Sequence, residues 1–151
     1  MAALSQNISR TNHGSALPPD TWVAANNQVF YQGSAVLIKS DGLAYVGVAY
    51  TTGSGFVPGH AMIELDTTIA ANQGKSVIVQ PGTFGEYDNS GTAAIAETDR
   101  GAVCYLENDN TLSLTSQSST LVAAGRVFGL ADDGSSVIIQ YGTGTAGEVL
   151  R

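Results

Sequence analysis

The chain has 151 residues, 43% of them hydrophobic and 13% charged, with 18 glycines and 4 prolines. That length fits one domain with a core, and the longest run of apolar or small residues, Leu43 to Tyr50, falls well short of the ~20 that a membrane-spanning helix needs. Thirteen acids against six bases leave a net charge of −7, and the cations Arg10, Lys39, Lys75, Arg100, Arg126 and Arg151 stand singly, which argues against nucleic acid or an anionic membrane as partner.

Residues 1–27 read as an extended N-terminal arm. The stretch Met1 to Arg10 lacks the apolar core of a secretion signal, so synthesis in a cytoplasm is expected. Pro18-Pro19-Asp20 favours a polyproline-like path. Around it the apolar anchors Leu4, Ile8, Leu17, Trp22 and Val23 follow no period. Such anchors cost solubility when bare, so the arm is expected to order against a neighbouring subunit, and these five residues are the candidate partner-binding set. For Trp22 a lid on the chain's own core is the competing role.

Residues 28–141 carry the pattern of a β domain. Val29-Phe30-Tyr31 opens it, and Ser34–Lys39 and Leu43–Val46 flank Ser40-Asp41-Gly42 as a first hairpin. Phe56-Val57 meets Pro58-Gly59, and an alternating run follows from His60 to Asp66. Thr67 to Gly74 has room for one helical turn. Lys75–Gln80 and Thr83–Asp88 around Pro81-Gly82 read as a second hairpin, Ala102–Leu106 and Thr111–Leu114 as a third, and Arg126–Leu130 and Ser135–Tyr141 as a fourth. Short strands at such regular spacing predict an all-β fold, a small jelly-roll, β-sandwich or barrel. Residues 142–151 read as a flexible C-terminal tail.

No catalytic, cofactor or metal constellation survives inspection. Gly142-Thr143-Gly144-Thr145-Ala146-Gly147 matches G-x-G-x-x-G, but the four residues after it leave no room for the helix that presents the pyrophosphate site. Gly74-Lys75-Ser76 lacks the earlier glycine of a phosphate loop and leads into a strand. His13 and His60 are far apart, and Cys104 sits between apolar neighbours as a small hydrophobe. His60 reads as an ordinary surface or satisfied edge position. No serine lies in a nucleophile elbow. The acids Glu107, Asp109, Asp132 and Asp133 fall in predicted turns, where local hydrogen bonding explains them. The expectation is a protein that is not an enzyme and has no cofactor.

The succession of segments resembles the cement or decoration proteins of tailed-bacteriophage capsids. It runs through Val29–Val36, Ser40–Gly42, Phe56–Ala61, Asp66–Thr68, Gly74–Phe84, Asp99–Asp109, Ala124–Gly134 and Val137–Ile139. The order of these weak motifs carries the likeness, which covers about residues 25 to 141. The resemblance implies a non-enzymatic virion protein on the outer capsid surface, made in the host bacterial cytoplasm. It would bridge major capsid proteins and stabilise the expanded shell. It also implies self-association, with a homodimer favoured over a homotrimer, and no nucleic-acid or membrane partner. The competing reading is a receptor- or carbohydrate-binding β domain of a phage tail or fibre.

Overall fold

A computed structural model describes residues 3–10, 12–16, 18–47, 55–116, 121–131 and 134–141. In chain order the strands are β1 (Asn12–Ala16), β2 (Asp20–Val23), β3 (Val29–Phe30), β4 (Ala35–Ile38), β5 (Ala44–Val46), β6 (Phe56–Ala61), β7 (Leu65–Asp66), β8 (Ser76–Asn89), β9 (Val103–Asn108), β10 (Thr111–Ser113), β11 (Val122–Leu130) and β12 (Ser136–Tyr141). The only helices among the described residues are two single 3-10 turns, Ala70–Asn72 and Glu97–Asp99. The fold is all-β, as the spacing predicts, and the first of these turns occupies the stretch expected to hold one.

Within this all-β fold, part of the sheet closes into a small five-stranded barrel. β8 pairs with β12, β12 with β11, β11 with β9 and β9 with β10, and β10 returns to β8 through a short parallel pairing, Thr111 to Asp88 and Leu112 to Asn89. Five strands thus close on themselves and leave no free edge. The remaining strands extend the sheet from β8. β6 lies on β8, β4 on β6 and β5 on β4, while β1 and β2 cover the opposite edge of β8. β3 and β7 form a separate ribbon.

β8 is the spine, and here the structure corrects the sequence reading. The second hairpin does not exist: Ser76–Asn89 is one strand of 14 residues that runs straight through Pro81-Gly82. Pro58-Gly59 likewise lies inside β6 rather than at a break. The two Pro-Gly pairs face each other, with Gly59 opposite Pro81. A Cβ on Gly59 would stand 2.2 Å from the Gln80 carbonyl oxygen, so glycine permits the close approach of the two strands. Proline is tolerated because β8 changes partners at this point, from β6 at Val79–Pro81 to β12 at Phe84–Asp88, and the missing N–H interrupts no continuous ladder. The first, third and fourth hairpins stand, as β4–β5, β9–β10 and β11–β12.

Two cores result. The barrel is filled by Leu106, Leu112, Val122, Val127, Val137, Ile139, Tyr87 and Tyr141 with Cys104 among them. A second core, under β2, β4, β6 and the first half of β8, holds Phe30, Val36, Ile38, Val77 and Val79. β4 serves both, because alternate residues of a strand face opposite sides. Ala35 and Leu37 enter the barrel, Val36 and Ile38 the second core, and all four are buried. This is why Ala35–Ile38 is an unbroken apolar run.

Candidate partner-binding surface

The described part of the 27 residues expected to form an arm lies along the chain's own body. β1 pairs with β8 from Asn12 opposite Gly85 to Ala16 opposite Gly82, and β2 pairs from Asp20 opposite Val79 to Val23 opposite Ser76. Before them, residues 3–10 form a strap pinned by polar contacts. The Leu4 N–H donates to the Asp109 carboxylate at 2.9 Å, and the Ile8 N–H to the Gln32 carbonyl at 2.9 Å. Asn7 accepts from the Gln32 N–H and donates to Glu64.

Arg10 is the clasp. Its Nε donates to the Gly33 carbonyl at 2.7 Å, one terminal nitrogen to the Glu86 carbonyl at 2.5 Å, and the other to Asn110 at 2.8 Å. The guanidinium carbon lies 3.8 Å from the centroid of the Tyr87 ring, a cation–π contact. The Tyr87 hydroxyl is 2.8 Å from that of Tyr141, which in turn is 3.1 Å from His60 Nδ1. A polar chain therefore runs from the strap through the barrel wall to β6. Burial, aided by the Arg10 cation, pushes the His60 imidazole down to about 4, and burial raises both phenols. At pH 7 the histidine is neutral, and the tyrosines keep their protons.

Each residue singled out from the sequence can now be placed. Leu4 and Ile8 are half-buried against the body. Ile8 packs on Gly33, where a Cβ would come within 2.6 Å of Ile8 Cγ1 and the backbone has φ +93°. Trp22 faces inward from β2, packs on the second core and meets Phe56 edge-to-face with centroids 5.8 Å apart. That is the lid role. Val23, next along the strand, faces out and is 46% exposed. Leu17 lies outside the described residues, as do residues 142–151 with their G-x-G-x-x-G match, and Asp132 and Asp133.

Beside Trp22 runs a groove of about 390 Å³ lined by Asp20, Trp22, Phe56, Pro18, Pro19, Pro58 and Pro81. All four prolines of the chain meet there. The indole N–H of Trp22 is shielded from solvent and makes no hydrogen bond.

His60, read as a surface or satisfied edge position, is satisfied by its hydrogen bond to Tyr141, but it is buried and its strand is paired on both sides, which corrects the surface and edge placement. Asp109 is also more than a turn acid. It is 2% exposed and receives both the Leu4 N–H and the Ser34 hydroxyl, the latter at 2.6 Å. Cys104 is a buried thiol pushed up to about 12 by burial, matching its reading as a small hydrophobe. Sequence reasoning missed Arg10, Asn110 and Tyr87. The one signal available was a lone cation in a polar arm of an acidic chain.

Among the described residues no three His, Cys, Asp or Glu side chains come together as a metal site, and no helix is long and apolar enough to cross a membrane. No family model, curated protein or solved structure matches the chain.

Proposed function

We propose that this protein is a non-enzymatic virion component that binds the outer surface of a tailed-phage capsid and bridges its major capsid proteins. The observation that carries this reading is the order of the segments from Val29 to Ile139, which resembles that of capsid cement proteins. The all-β body, the acidic surface and the apolar groove at Trp22 are compatible with such a role. The mechanism is linkage: a protein that binds the expanded lattice and not its dissociated parts stabilises the lattice by mass action. The contact surface in this reading is the outer side of β2 with the proline-walled groove, where Val23 is exposed.

The test is co-sedimentation of the purified chain with expanded shells that lack it, together with the temperature at which those shells break. Binding to expanded but not to unexpanded shells, with a rise in breaking temperature, is expected. Val23→Asp, at an exposed position, should weaken binding at least tenfold and leave the melting of the isolated chain unchanged. Absence of binding to expanded shells overturns the reading. A positive glycan array would then favour a receptor-binding domain of a tail or fibre.

A further inference from the structure

We propose that the cleft between the strap and β6 is a binding site for a small carboxylate, held by the Nε2–H of His60 beside the positive charge of Arg10. The inference does not rest on the capsid reading.

The cleft has a volume of about 240 Å³, and its walls include Ser9 and Arg10 of the strap, Gln32, His60, Met62 and Gln80. That is many times the ~15 Å³ that one water requires, so a small organic molecule fits. No acid is among its described lining residues, although the chain as a whole carries −7. An anion therefore meets attraction there rather than the repulsion of the surrounding surface. The charge comes from Arg10, whose partners leave it unneutralised. Its three hydrogen bonds go to the Gly33 and Glu86 carbonyls and the Asn110 side-chain oxygen, none of them charged. A guanidinium has donors beyond those three.

The polar chain behind the cleft fixes which nitrogen of His60 carries the proton. The Tyr87 hydroxyl lies in the barrel core and has the Tyr141 hydroxyl as its one hydrogen-bond partner among the described residues. Unless Tyr87 donates to Tyr141, its hydrogen is left without an acceptor in the core. Tyr141 then has only Nδ1 of His60 to receive its own hydrogen. With Nδ1 accepting, the neutral imidazole carries its proton on Nε2. Every other arrangement orphans a hydroxyl hydrogen in the core. His60 lines the cleft, is 7% exposed, and makes its single side-chain hydrogen bond through Nδ1. Its Nε2–H is thus a donor without an acceptor, on a cleft that favours negative charge. One carboxylate oxygen satisfies that donor, and the guanidinium stabilises the ion.

In the His13→Gln variant of the full-length chain His60 is the only imidazole, and long-range proton–nitrogen NMR at pH 7 reads both of its nitrogens. The proton is expected on Nε2. Sodium acetate should move the Nε2–H signal saturably, with half-saturation at roughly millimolar concentration because so small a ligand makes few contacts. Acetamide, with the same shape and no charge, should bind at least tenfold more weakly. Sodium chloride at equal ionic strength should leave the signal in place. Ser9→Glu sets a competing carboxylate at an exposed wall position, so it should weaken acetate at least tenfold and leave melting unchanged.

Acetylglycylglycine carries the same carboxylate at the end of a short chain. Tighter binding than acetate supports the site as one for a peptide C-terminus, and weaker binding supports it as one for a free acid. A proton on Nδ1, no saturable response to acetate, or equal responses to acetate and chloride overturns the proposal. Equal affinity for acetamide overturns it too, because the Arg10 charge would then play no part. Unchanged acetate affinity in Ser9→Glu overturns it by placing the binding elsewhere.

Discussion

The closed barrel of β8–β12 and the N-terminal half of the sheet are held by different kinds of contact. The barrel is built from two hairpins and one long strand, and its interior is filled by side chains with almost no exposure. The N-terminal half is a layer on top: β2 and the strap lie on β8, and β6 and β4 continue the sheet. β2, β4 and β6 have an apolar core of their own, whereas the strap is held by polar groups far apart in sequence, Arg10 with Glu86 and Asn110 and Leu4 with Asp109. A closed sheet protects its own edges, whereas an open one depends on whatever strand covers it.

The sharpest way to break this contrast is to damage one half and ask whether the other survives. Leu106→Ala, in the fully buried barrel core, should cost about 2–5 kcal/mol in urea denaturation and loosen every strand in hydrogen exchange. Exchange that quickened only in β9 and β10 would show that the barrel does not unfold as one unit.

Acid titrates the junction between the halves. The His60 imidazole, held near 4 in the folded chain, takes its proton near 6.5 once unfolded, so the unfolded state binds the extra proton between these values. Stability should be full above about pH 7, fall by about 3 kcal/mol as pH drops to 4, and level off below, as far as this group is concerned. His60→Gln should flatten that segment of the stability–pH curve; an unchanged slope would assign it to other groups.

Arg10→Ala addresses the clasp alone. Three hydrogen bonds and a ring contact are lost, for about 2–3 kcal/mol. Amide exchange should quicken in residues 3–16 and stay slow in β9, β11 and β12. Arg10→Lys should recover little, because an ammonium cannot reach three diverging acceptors as a planar fork does. The smallest effect belongs to Arg100→Ala. This pair with Glu97 at 2.7 Å is exposed and screened by solvent, so its loss should leave the melting temperature of the chain unchanged.

Strand content and three of four hairpins were readable because their signals are local. Ser40-Asp41-Gly42 needs a positive φ, found at Gly42 (+79°), and alternating residues in Ser136–Tyr141 fall alternately inside and outside the barrel. The second hairpin was misread because Pro-Gly is a turn signal only where the chain is free to turn. At Pro81-Gly82 neighbouring strands on both sides hold it straight. The anchors Leu4, Ile8 and Trp22 were visible as apolar residues in a polar arm, but hydrophobicity alone does not say which surface covers them. Arg10 and Asp109 each looked ordinary, since neither carries a motif and their partners lie 23 to 105 residues away.

By itself, then, the amino-acid sequence determined the all-β class, the acidic and weakly charged surface, the local hairpins and the buried character of Cys104. All of these depend on residue type and on spacing of a few residues. Tertiary structure alone decided that β8 is a single spine, that the sheet closes through a parallel pairing of β10 with β8, and that the N-terminal segment lies on its own body under an arginine clasp. These depend on which distant strands meet, and a two-residue pairing or a lone guanidinium leaves no periodic trace in the chain.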